Sequence, residues 1–195
     1  MTTRTPRLPK AARREQLLDT ALTTVRDHGT DGLTLVTLAE AAGVSRPIVY
    51  DHFATRPELL LALYRRLDER HRRAAEQAVR EADPTVDEIA RVMSAAYFAC
   101  ATDMPEFDAI SAALKGNPAV RAIQRDMLDS CRDWMATTLL PHSRLTAAAL
   151  RLRCVAVLGA AETLGAELNR GATTADDAIA ALTDLIIAAA APAGR

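Results

Sequence analysis

Aromatic residues are scarce in this chain, at 4% of 195 residues, and a single tryptophan is among them. Alanine and leucine are abundant instead, so the composition favours helices throughout, and no strand pattern is visible. Cysteine is sparse too. Cys100, Cys131 and Cys154 are odd in number, far apart and set in apolar helical runs, which points to buried free thiols in a reducing cytosol. His28, His52, His71 and His142 show no metal-ligand spacing. The chain also lacks G-x-S-x-G, a phosphate loop, H-E-x-x-H and paired cysteine ligands, so neither an enzyme nor a metal or cofactor site is expected. No long apolar run is unbroken: the stretch from Ala147 to Leu168 is interrupted by Arg151, Arg153, Glu162 and Glu167, and no membrane span is expected. Basic residues at the N-terminus have no apolar core behind them, unlike a signal peptide. A soluble, cytoplasmic protein is the expectation.

An excess of charge of one sign is missing as well, the net charge being −1, but the charges are unevenly spread. Arg4, Arg7, Lys10, Arg13 and Arg14 crowd the first fourteen residues with no acidic residue among them. Such a basic arm suggests a local nucleic-acid footprint.

What is present is helical periodicity. Leu17, Leu18, Ala21, Leu22 and Val25 form one apolar stripe, predicting a helix from Lys10 to His28 that ends at Gly29. Later helices are predicted from Arg56 to Ala82, Val86 to 102, Pro105 to Leu114, Pro118 to 140, Ser143 to Asn169 and Thr174 to Ala190. Asp83-Pro84 and Gly116-Asn117-Pro118 supply breaks. Between Leu67 and Ala82 the chain reads as a charged connecting rod. Along this helix Arg65, Arg66, Arg70, Arg72 and Arg73 mix with Asp68, Glu69 and Glu76, as either a phosphate patch or an ion-paired face.

The most informative stretch is Thr34 to Arg56, TLVTLAEAAGVSRPIVYDHFATR, which reads as two short helices joined by a tight turn. Thr34 is a good N-cap, and Leu35, Leu38, Ala39 and Ala42 share an apolar side. Gly43 falls where the chain needs a left-handed residue. Val44 plugs the corner, Ser45 is placed to cap the next helix, and Pro47 lies in its first turn. Val49 and Phe53 face inward, leaving Arg46, Ile48, Tyr50 and His52 on other faces. A short second helix with such an outer face fits a major groove, the arrangement of a helix-turn-helix.

The string AGVSRPIVYDHFATRPELL resembles the signature of the TetR family of bacterial transcriptional regulators, over residues 12–63. The resemblance implies an all-α fold of about nine helices, with a three-helix DNA-binding head (residues 1–56) and a helical-bundle body for effector binding and dimerisation (residues 57–195). It implies that Arg46 reaches a base edge and that Ile48 makes only an apolar contact, such as to a thymine methyl. Tyr50 and His52 then hold phosphates, Arg56 stands for a backbone-gripping lysine, and Thr34 and Thr37 reach phosphates from the preceding helix. With Ser45 and Pro47 these residues form the expected DNA-binding set. Val36 replaces a commonly polar position, and Asp51 either reads a cytosine amine or faces water.

For the body, the resemblance implies a homodimer on a double-stranded operator, packed through the last two helices. Gly159, Ala160, Thr163 and Ala166, with Leu182, Leu185 and Ile186, are the expected interface. Met93, Tyr97, Cys100, Met104, Phe107, Met127, Cys131 and Trp134 are the expected lining for a small, mostly hydrophobic effector, with Glu162 as an orienting polar group. Repression relieved by that effector is the expected function. A DNA-bound regulator governed by a protein partner, without an effector, is the alternative.

Overall fold

The computed structural model of the chain describes residues 8–103 and 105–192, the side chains of 100–103 and 105 excepted. Among the described residues there are nine α-helices and no strand: α1 (Lys10–His28), α2 (Leu35–Ala41), α3 (Arg46–Tyr50), α4 (Arg56–Glu81), α5 (Val86–Asp103), α6 (Pro105–Ala113), α7 (Pro118–Leu139), α8 (Ala147–Asn169) and α9 (Ala175–Ala190). No helix is long and apolar enough to cross a membrane, among the described residues. Cys100, Met104 and the arm residues Arg4 and Arg7 lie outside the residues whose side chains are described.

Local chemistry sets most of the boundaries. Gly29 ends α1 at φ 68°, its N–H reaching Val25 O at 2.9 Å. Thr55 caps α4 through the Glu58 amide at 3.3 Å, and Glu58 reaches back to the Ala54 N–H at 2.9 Å. Thr85 does the same for α5. Helix α8 starts later than the sequence predicts. Leu140–His142 fold into a 3₁₀ turn, Ser143 donates to Ala190 O at 2.7 Å, and Thr146 becomes the cap, accepting from the Ala149 amide.

The chain forms two compact units, and their division differs from a head ending at residue 56. The first unit comprises Met1–Leu67 together with Glu106–Asn117, and the second Asp68–Pro105 with Pro118–Arg195. In the first, Leu17, Leu18 and Leu22 of α1, Leu33, Leu38, Phe53 and the Leu59–Leu60–Leu63 face of α4 are buried. Helix α6 belongs to this unit despite its place in the sequence. Its Ile110 is buried, Glu106 pairs with Arg26, and Phe107 stacks on Tyr64 with centroids 4.5 Å apart. In the second unit, α5, α7, α8 and α9 enclose a core containing Met93, Phe98, Leu139, Leu150, Val157, Leu182 and Ile186.

The arginine-rich rod resolves into ion pairs. Arg72 pairs with Glu76 at 2.5 Å, Arg73 with Glu69, and Arg66 with Asp19 at 2.5 Å. These side chains occupy an ion-paired face instead of a row of free cations.

Candidate nucleic-acid interface

Helix α2 begins with a reciprocal cap. Thr34 Oγ1 accepts from the Thr37 amide at 3.0 Å while Thr37 Oγ1 accepts from the Thr34 amide at 2.9 Å. The Thr37 hydroxyl donates to Gly32 O at 2.8 Å, so its proton is committed within the chain. The Thr34 hydroxyl, exposed at the helix start, lies 3.1 Å from Thr37 Oγ1 and can donate to it. Helix α2 ends in a left-handed turn: Gly43 adopts φ 64°, its N–H meets Glu40 O at 3.2 Å, and the Val44 N–H meets Ala39 O at 3.0 Å. A side chain at Gly43 would meet no neighbour, so the glycine is required by its backbone angle alone.

Helix α3 follows at once and is shorter than a helix reaching Phe53. Ser45 precedes it in extended conformation but makes no side-chain cap bond. Its two possible donors are lost for simple reasons: Pro47 has no N–H, and the Ile48 amide goes to Ser45 O at 3.0 Å. The Ser45 hydroxyl therefore remains exposed and available. Beyond Tyr50 the chain holds a helical turn through Phe53 N–H to Val49 O at 2.9 Å, which drives Phe53 into the core with Val49.

The outward residues differ in what they can offer. Arg46 is 62% exposed, with the Glu40 carboxylate 3.8 Å away as a loose partner. Tyr50 is half exposed and Asp51 exposed. Ile48 and His52 are half-buried, so they present less to a ligand than a helical wheel suggests. Burial holds the His52 imidazole below its ordinary value of 6.5, reinforced by Lys10, Arg14 and Arg13 and opposed by Asp51. A neutral imidazole can hydrogen-bond a phosphate but adds no charge. Lys10 and Arg13 thus bring positive potential to the same end of α3. Arg14, read from the sequence as part of a basic arm, and Arg56, read as a backbone-gripping cation, turn inward. Arg14 donates to His52 O at 3.3 Å with its guanidinium 4.5 Å from the Phe53 ring centroid, and Arg56 donates to Leu33 O and Thr30 O.

The residues expected to line an effector site divide between the two units. Met93 is buried in the core of the second unit, and Phe107 lies in the first unit against Tyr64. Glu162 is exposed on α8, which removes it as an interior polar group. Tyr97, Cys131 and Trp134 remain together as half-buried residues packed against the second core, and Met127 is half-buried on α7. Leu182 and Ile186, expected at a partner, are 2% and 1% exposed and serve the chain's own core. Gly159, Thr163, Ala166 and Leu185 are exposed, and Ala160 is half-buried.

Sequence reasoning passed over Asp68 and His71. Both are half-buried on α4, where His71 interrupts the stripe Leu63, Leu67, Ala75, Val79 at four-residue spacing. That interruption is the signal that could have found them. Burial pushes the Asp68 carboxyl above its ordinary value and the His71 imidazole below its own. The Cys131 thiol is pushed up to about 11, by burial first and then by Asp68 and Cys154, so it is an inert thiol beside a carboxylate. Because the unfolded chain protonates His71 at a higher pH than the folded one, stability falls as pH drops through the histidine range. Asp68 has the opposite sign and acts nearer its own 3.8. A His71→Leu variant is expected to lose less melting temperature than wild type between about pH 7 and 5, measured by circular dichroism in matched buffers. Equal losses would show that His71 does not carry the effect.

Residues 17–63 match the family described as bacterial regulatory proteins, tetR family. Over 60 residues the chain is 42% identical to the HTH-type transcriptional activator FasR of Mycolicibacterium smegmatis, covering 31% of this chain and 27% of that protein. Over 91 residues it is 32% identical to the HTH-type transcriptional regulator BetI of Brucella canis, covering 45% and 46%. The chain therefore spans less than half the length of these curated relatives. The fold is also similar to that of a TetR-like transcriptional regulator from Rhodococcus sp. RHA1, at 25% identity and a TM-score of 0.59, over 92% of this chain and 96% of that one.

Proposed function

We propose that this chain, whose residues 17–63 match the bacterial regulatory proteins of the tetR family, is a transcriptional regulator that binds a pseudo-palindromic DNA operator as a homodimer. The observation that carries this reading is the outward row on α3. Arg46 and Tyr50 stand exposed on a five-residue helix, with the exposed Ser45 hydroxyl just before it, behind a turn in which the Gly43 and Val44 N–H groups are both bonded. Arg46 is the base-reading residue, its guanidinium matching the O6 and N7 acceptors of guanine. Ser45, Thr34 and Tyr50 supply hydroxyls for phosphates, and His52 a neutral hydrogen-bonding group. Repression of the adjoining promoter is the regulatory outcome proposed for such binding.

Dimerisation is supported by α8 and α9. Leu152 is 71% exposed, Val155 48% and Leu185 43%, and Leu152, Val155, Gly159, Thr163 and Ala166 recur at helical spacing along α8. An apolar row of this kind fits a second copy of the chain.

A small, mostly hydrophobic effector would bind within the second unit. Tyr97, Trp134 and Cys131 offer apolar surface there, and Asp68 and His71 would meet a polar group of the ligand. Release from DNA then follows by linkage, the effector favouring a dimer geometry whose heads do not fit the operator.

The test is selection of duplexes from a random-sequence library, followed by titration across a salt series. Wild type should enrich one site and bind it with steep salt dependence, and footprinting should show two half-sites about one helical turn apart. Arg46→Ala should cost about 1–3 kcal/mol and relax specificity at one base pair of each half-site. Failure of the wild type to enrich any sequence would remove the reading.

A further inference from the structure

A guanidinium carries five donors in a rigid plane, so it can bridge two carbonyls that a lysine ammonium cannot span with the same geometry. Arg56 uses its fork in this way. Its Nε donates to Leu33 O at 2.8 Å and its Nη2 to Thr30 O at 2.6 Å, with the Asp31 carboxylate 3.9 Å from Nη2. The side chain is 34% exposed. Thr30 to Leu33 lead into α2, and Arg56 is the first residue of α4, just after the turn that leaves α3. The contact therefore joins the entry of the helix-turn-helix to its exit, across 23 and 26 residues of sequence.

Arg14 makes the corresponding contact from α1. Its Nη1 donates to His52 O at 3.3 Å, on the turn that extends α3, while the guanidinium lies over the Phe53 ring at 4.5 Å. Carbonyls at a helix C-terminus carry partial negative charge, so a cation there is doubly placed. In both residues the charge is spent on the protein's own backbone.

We propose that Arg56 is a positioning residue for DNA recognition, with Arg14 its counterpart at the far end of α3. The two fix the attitude at which α2 and α3 meet the duplex, and neither grips a phosphate. This rests on the DNA-binding reading given above. It departs from the role that the family signature implies for the Arg56 position, and the departure follows from arginine standing where the signature has lysine.

The probes are a duplex enriched by the wild type from a random-sequence library and a scrambled duplex of equal composition. Full-length wild type, Arg56→Lys, Arg56→Ala and Arg14→Lys are titrated with both across a salt series, with circular dichroism melts alongside. Arg56→Lys keeps the charge and loses the fork, so it should fold, weaken binding to the enriched duplex about tenfold and leave the salt slope unchanged. Binding to the scrambled duplex should not move. Arg14→Lys should behave in the same sense. A phosphate contact gives the opposite pattern: Arg56→Lys near wild type, and Arg56→Ala lowering the salt slope by about one while weakening both duplexes alike. That result would overturn the proposal, as would an Arg56→Lys chain that does not fold, since the residue would then serve general stability. Should Arg56→Ala fail to fold, Arg56→Lys decides. If the wild type enriches no duplex, the DNA-binding reading falls and takes the proposal with it. Wild-type enrichment with Arg56→Lys unaffected would sink the proposal alone.

Discussion

Replacing Phe53 by alanine is expected to cost about 3–5 kcal/mol, the range for deleting a fully buried aromatic side chain. Phe53 is 0% exposed, among the largest fully buried side chains of the head. The substitution also removes the ring beneath Arg14, so the guanidinium would lose its stacking partner while keeping only the bond to His52 O. Small compact units are marginal, and a loss of this size is a large share of what holds one together. Thermal unfolding followed at 222 nm or so should show a lowered, broadened transition, and specific DNA binding should vanish at temperatures where wild type still binds. A destabilisation below about 1 kcal/mol would mean that neighbouring side chains refill the site, and that the head is more plastic than its packing indicates.

The second large effect concerns α8. Changing both Leu152 and Val155 to glutamate is expected to leave each chain folded, because both side chains are largely exposed. Four carboxylates would then face one another across the proposed two-fold contact, and the apolar surface proposed to drive association would be gone. Sedimentation velocity should show monomer at micromolar concentrations where wild type should be a dimer. With a single head available, binding to the enriched duplex should weaken by about 10²-fold or more, because the second half-site no longer benefits from linkage to the first. A double variant that stays dimeric would place the contact elsewhere and leave the exposed row on α8 unexplained. The comparison also separates dimer loss from head damage: Phe53→Ala lowers stability and binding together, whereas the α8 variant lowers binding at unchanged stability of the monomer.

Much of this architecture is written in short-range chemistry. Thr34, Gly43 and Pro47 mark the helix-turn-helix because a cap, a left-handed residue and a missing N–H each act within four residues, and the structure places α2 and α3 where they indicate. Gly29, Asp83-Pro84 and Gly116-Asn117-Pro118 bound their helices for the same reason. The late start of α8 shows where local signals compete: Ser143 and Thr146 are both capable caps, and the contact of Ser143 with Ala190, a residue 47 positions away, leaves the role to Thr146.

By itself, then, the sequence determined that the chain is all helical and that a helix-turn-helix with Arg46 and Tyr50 on its outer face lies near its start, since periodicity and capping are properties of neighbours. Only the tertiary structure decided how the charges and polar groups are used. Arg56 and Arg14 look like free cations until distant carbonyls and a ring close around them, and Leu182 looks like an interface residue until α9 packs it into the second core. Helix α6 joins the first unit, and Asp68 and His71 leave the solvated rod for a half-buried face, because burial depends on which helices come together and not on the residues beside them in the chain.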